Sequence, residues 1–129
     1  MTKNASFGSY LRELRIERGI TQEKLASGIY RKKMTISDIE NGRNNPPQGE
    51  VLELIIQYMS LSDSEEHHLR FLAAKERNLI PNDIADYFFS DPFICDALRI
   101  AKVKNLSGSD LLALVSAENN EEWVNVQHH

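Results

Sequence analysis

Apolar residues recur along this chain at the three- and four-residue spacing of helices, and glycine or proline cuts each run short. "SFGSYLRELRIERG" places Phe7, Leu11, Leu14 and Ile16 near one side, with Gly19 as its stop. "TQEKLASGI" follows at once, Thr21 suited to the N-cap and Leu25, Ala26 and Ile29 facing inward. "TISDIENG" ends at Asn41-Gly42, and "RNNPPQGE" reads as a loop because Pro46-Pro47 cannot continue a helix. "VLELIIQYM" reads as a core helix. In "LSDSEEHHLRFLAAKERN", Ser62 and Glu65 form a capping-box pattern ahead of a stripe of Leu69, Phe71, Leu72 and Ala73. Pro81 suits the first turn of "IPNDIADYFFS", Asp91-Pro92 opens "DPFICDALRIAKVKN", and Ser107 to Asp110 opens "SGSDLLALVSA". The end, "ENNEEWVNVQHH", is polar apart from Trp123, Val124 and Val126 and is expected to fray. Strand signals are scarce, so the expectation is all-α: seven or eight short helices, no internal repeat.

Charge becomes informative only when the chain is divided. The 129 residues carry a formal charge of −4. Residues 1–46 hold nine Lys/Arg against five Asp/Glu, and residues 47–129 hold six against fourteen, giving +4 and −8. Such asymmetry suggests a basic surface for a polyanion joined to a part with another task. No apolar run approaches the ~18–20 residues of a membrane span, and "MTKNASFGSY" has no signal-peptide core. The single Cys95 excludes an internal disulfide and fits a reducing cytosol; nothing nearby in sequence would activate its thiol.

From Gln22 to Asn41 the spacing is that of a DNA-binding helix-turn-helix. Two helices crossing steeply need a small residue at their closest approach, and Ala26 stands there. Leu25 and Ile29 on the first helix, with Ile36 and Ile39 on the second, point toward one core. Lys33, Met34, Ser37 and Asp38 are left on the outer side, where base edges would lie.

"LRELRIERGITQEKLA" and "ISDIENGR", at matching separation, resemble the Xre family of phage-repressor-like regulators over roughly residues 7–60. The resemblance implies a five-helix repressor-like DNA-binding domain at 1–60, with 61–129 as a helical extension. It also implies roles. Gln22, at a helix amino end, would hold phosphate through its side chain and the exposed amides. Lys33, Met34 and Asp38, with Ser37 beside them, would read bases. Arg43 and Asn44 would touch the backbone, as would Arg31 and Lys32 in the turn. Arg15 and Glu40 match a structural ion pair.

Two departures from the family pattern fall in the turn. Tyr30 stands where glycine is usual, and Arg31 where an apolar core residue is usual. A bulky residue at positive φ costs about 1–2 kcal/mol, so another turn conformation is expected, with Tyr30 covering the core. Lys32 replaces the usual capping serine, and Thr35 with Asp38 offers a substitute cap. If Thr35 caps, Lys32 and Lys33 lie in the turn and grip phosphate. If Lys33 is helical, it can donate to guanine O6 or N7.

The acidic half carries no comparable motif. Tyr87, Phe88, Phe89, Phe93, Ile94 and Leu98 are apolar enough either to form a dimer surface or to close the monomer's core. Adjacent His67-His68 point about 100° apart on a helix and lack metalloprotease spacing; they are expected to lie exposed in an acidic first turn. Glu65-Glu66 and Glu121-Glu122 sit on polar faces, and His128-His129 close the chain. No phosphate loop, zinc spacing or nucleophile elbow occurs. The expectation is a cytoplasmic, non-enzymatic regulator without cofactor or membrane contact: a repressor binding double-stranded DNA as a homodimer. The alternative is an autoregulating antitoxin whose acidic half binds a protein encoded by a neighbouring gene. A third reading reuses the scaffold to bind protein instead of DNA.

Overall fold

The computed structural model describes residues 6–117, which form eight α-helices and no strand. In chain order they are α1 (Phe7–Glu17), α2 (Gln22–Gly28), α3 (Lys33–Glu40), α4 (Gly49–Met59), α5 (Asp63–Arg77), α6 (Asn82–Phe89), α7 (Pro92–Val103) and α8 (Gly108–Ser116). The chain divides into two compact units between Ala85 and Asp86, inside α6. The expectations for Glu121-Glu122, Trp123, Val124, Val126 and His128-His129 concern residues outside those described.

Local chemistry starts the helices where the side chains allow. Thr21 Oγ1 accepts the Lys24 amide at 3.0 Å, and Ser62 and Glu65 exchange reciprocal bonds of 3.2 and 2.9 Å. Phe7, Leu11, Leu14, Leu25, Ile29, Ile36, Ile55 and Leu69 are fully buried in one core. Burial stabilises each such side chain by roughly 1.5–3 kcal/mol. α1 approaches α3 closely at Gly8: a Cβ there would meet the Ile39 carbonyl oxygen and lie 2.6 Å from that of Glu40.

The first compact unit extends well past residue 60, where the sequence reading divided the chain, because α5 completes its core. Leu69, Leu72 and Ala73 are buried in it, and arginines clamp the helices together. Arg18 donates to the Met59 carbonyl at 2.9 Å and pairs with Glu65 at 2.5 Å. Arg70 takes Glu53 bidentately at 2.6 and 2.8 Å and Glu66 at 3.0 Å. Those bonds raise the Arg70 pKa and hold Glu53 below the usual carboxylate range. Glu65 is lowered too, first by the Ser62 amide and then by Arg18. Arg77 donates twice to the Pro46 carbonyl, at 3.0 and 2.8 Å, anchoring the proline loop.

Three expected positions differ. Ile16 and Phe71 are half or more exposed. Each follows an inward leucine, Leu14 or Leu69, by two residues, about 200° round the helix, so neither shares the core face. His68 is half-buried, its ring edge-on to Tyr10 at 4.7 Å and stacked on Phe71 at 6.4 Å, so only His67 is exposed as expected.

The second unit is built differently. Asp91 caps α7 through the Phe93 amide at 2.9 Å, and Ser107 with Asp110 forms a box at α8. Yet Ala101 is its one buried residue among those described.

Candidate nucleic-acid interface

α3 begins at Lys33, with Lys32 at the N-cap and no side-chain cap bond. The Thr35 cap is therefore not used: Thr35 lies inside the helix, and Lys33 is its first residue. About 100° per residue puts Lys33, Ser37, Met34 and Asp38 on one arc of roughly 140°, opposite buried Ile36 and Ile39. Lys33 and Met34 are exposed, while Ser37 and Asp38 are half-buried.

The helix is bolted from behind. Glu40's side chain is 2% exposed and accepts Arg15 Nε at 2.7 Å and Nη2 at 3.0 Å. Arg15 Nη1 also donates to the Ile20 carbonyl at 2.9 Å, and Gln22 Nε2 donates to Glu40 Oε1 at 3.0 Å. One buried carboxylate thus ties the end of α1, the start of α2 and the end of α3 together. Gln22, expected to hold phosphate, has one of its two amide N–H donors committed to Glu40.

The turn corrects the sequence reading. Tyr30 does take φ of 61°, and its side chain is 80% exposed, so it neither avoids the left-handed region nor covers the core. The reason is the way α2 ends. The Tyr30 amide donates to Ser27 O at 3.2 Å and the Arg31 amide to Ala26 O at 2.8 Å, the paired bonds of a Schellman closure. The Ser27 carbonyl gains a partner, and the Ala26 carbonyl, which also takes the Ile29 amide at 3.3 Å, gains a shorter bond, which offsets the left-handed strain.

The same closure recurs through the chain and reveals a pattern that sequence reading missed. Gly19, Tyr30, Gly42, Ser60, Asn78 and Asn105 all have positive φ. In each case the next residue's amide reaches back into the helix. That next residue is Ile20, Leu61, Leu79 or Leu106 at four ends, the apolar choice usual for the motif. At the two ends flanking α3 it is Arg31 and Arg43, both exposed. Among the described residues, a cation stands in the place of the apolar seal only at the two ends flanking α3. The signal was present in sequence, but only when all six ends are aligned.

Other polar groups on this surface are loosely paired. Lys33 Nζ lies 3.7 Å from Glu23, and Arg43 Nη1 lies 3.5 Å from Asp38, both with well-exposed cations. Such exposed pairs contribute little to stability. Glu23 as counter-ion to Lys33 was not anticipated; the contact crosses from α2 to α3. Lys32 and Asn44 are exposed at the two ends of α3. Lys33, Met34, Ser37, Arg31, Lys32, Arg43 and Asn44 are therefore gathered on or beside one helix. Of the proposed dimer residues, Tyr87, Phe89, Phe93 and Leu98 are exposed, whereas Phe88 and Ile94 are half-buried.

No curated protein and no solved structure matches the chain. Residues 6–69 match a family model described as a helix-turn-helix domain, a span running from the α1 cap into α5. The amino-terminal unit of this chain carries a helix-turn-helix domain.

Proposed function

We propose that this chain is a sequence-specific transcriptional repressor of Xre type. It works in the cytoplasm as a homodimer on a palindromic operator, without cofactor or enzymatic chemistry. The observation that carries this reading is α3, a helix with an outward Lys33–Met34–Ser37–Asp38 face, fixed by the Arg15–Glu40–Gln22 network and flanked by Arg31, Lys32 and Arg43. Lys33 on the first turn donates to guanine, Met34 contacts thymine methyl, and Asp38 accepts from cytosine. Two such helices enter major grooves about 34 Å apart.

Binding to DNA upstream of the chain's own gene should weaken steeply with salt, because Lys/Arg–phosphate contacts release counterions. Lys32→Ala should weaken all sequences alike and flatten the salt slope, whereas Met34→Ala should change base preference in a binding-site selection. Absence of DNA affinity at low salt sinks the reading. The antitoxin reading drew on acidity, and part of that acidity is paired within the chain. Glu53, Glu65, Glu66 and Glu76 bond to arginines or to a backbone amide inside the first unit. Residues 86–129 still hold seven Asp/Glu against three Lys/Arg, so charge alone does not separate the readings, and the repressor reading leads on the α3 surface.

A further inference from the structure

The α7 helix carries an apolar stripe that the monomer does not use. Phe93, Ala97 and Ile100 stand at i, i+4 and i+7, and all three are exposed, with exposed Val103 to one side of them. Ile94 and buried Ala101 lie on the other side, facing the unit's own interior. α8 adds Leu112 and Val115, about two-thirds exposed, on a helix that is apolar nearly all round. Helices of that kind are normally covered.

Charge beside the stripe selects the occupant. Asp96 and Arg99 lie on the same flank of it, three residues apart, paired with each other at 2.9 Å and largely exposed. When two copies of a helix pack antiparallel, like flanks meet; when they pack parallel, unlike flanks meet. An antiparallel pair in which Phe93 lies over Ile100 of the second copy is centred beside Ala97. It brings Asp96 of each copy alongside Arg99 of the other. A parallel pair would face both charges with the uncharged side of Ile94 and Ala101. A strongly basic partner has no matching field here, since residues 91–104 hold two Asp against Arg99, Lys102 and Lys104.

We propose that the Phe93–Ala97–Ile100 face of α7 is the dimer seam, packed antiparallel on the same face of a second copy with crossed Asp96–Arg99 pairs. This rests on the homodimer part of the functional reading and names its surface. The full chain is examined by sedimentation equilibrium at micromolar concentration, with helicity followed by circular dichroism. Wild type should be dimeric. Ile100→Asp, at an exposed position, should raise the dissociation constant by at least about 30-fold with helicity unchanged. Asp96→Arg should weaken the dimer and Arg99→Asp should do the same, while the double exchange D96R/R99D should restore it. The charge series decides the matter if Ile100→Asp loses helicity. A monomeric wild type overturns both the seam and the homodimer reading. A dimer indifferent to Ile100→Asp and to the charge series overturns the seam alone.

Discussion

Leu69 in α5 is fully buried, while Leu112 in α8 is 68% exposed, although both helices open with serine capping boxes. The difference lies in what surrounds them. α5 packs against α1 and is clamped by Arg18 and Arg70, so its leucines complete a core shared with α3. The second unit buries Ala101 and leaves most of its large apolar groups in water. Capping chemistry starts a helix in either case; only tertiary burial decides whether the helix stabilises the fold.

The largest test of the first unit is its buried ion pair. Arg15→Ala leaves the Glu40 carboxylate desolvated with only Gln22 as partner, and should cost about 3–5 kcal/mol in urea unfolding. The double variant R15M/E40L, which removes both charges, should recover most of that loss. If Arg15→Ala alone is nearly silent, the bolt behind α3 does not hold the helix.

The leucines compare the two units directly. Leu69→Ala should cost about 2–5 kcal/mol through lost burial and a cavity, while Leu112→Ser should change thermal stability by less than ~0.5 kcal/mol. Equal effects would erase the distinction between the units.

Acid should act on the same clamps. Glu53 and Glu65 have pKa values below the ordinary carboxylate value of 4.5, so the folded state binds their protons less readily than the unfolded chain. Their stabilisation is therefore complete above pH ~4.5 and lost as pH falls through the lowered values. Thermal unfolding followed from pH 7 to 3 should show stability declining below pH ~4.5. Glu53→Gln should flatten that decline, and since both carboxylates are partly exposed the effect should shrink in high salt.

Much of this was legible in sequence for physical reasons that are local. Thr21, Ser62, Asp91 and Ser107 announce helix starts because a side-chain oxygen reaches an amide two or three residues on. Ile36 and Ile39 announce the inner face of α3 by spacing alone. What sequence could not show was longer in range. The place of α5 in the first core depends on contacts with α1, about sixty residues away, and Gln22's bond to Glu40 depends on how α2 and α3 cross. Tyr30 misled because its intrinsic φ preference was weighed without the two backbone bonds that its conformation secures.

Tyr30 also gives the smallest test, and it asks whether the well-packed unit holds strain for a purpose. Glycine at φ of 61° removes a cost of about 1–2 kcal/mol but adds roughly 0.5–1 kcal/mol of unfolded-state entropy. Tyr30→Gly should therefore stabilise the fold by about 0.5–1 kcal/mol, read as a small rise in the urea midpoint. Tyr30→Ala, which keeps the strained backbone and drops the ring, should leave stability almost unchanged because the ring is exposed. If both variants also bind operator DNA as wild type does, Tyr30 is only a tolerated residue in a closure that two hydrogen bonds sustain. A drop in affinity common to both would instead make the exposed ring part of the DNA-facing surface, beside Arg31 and Lys32.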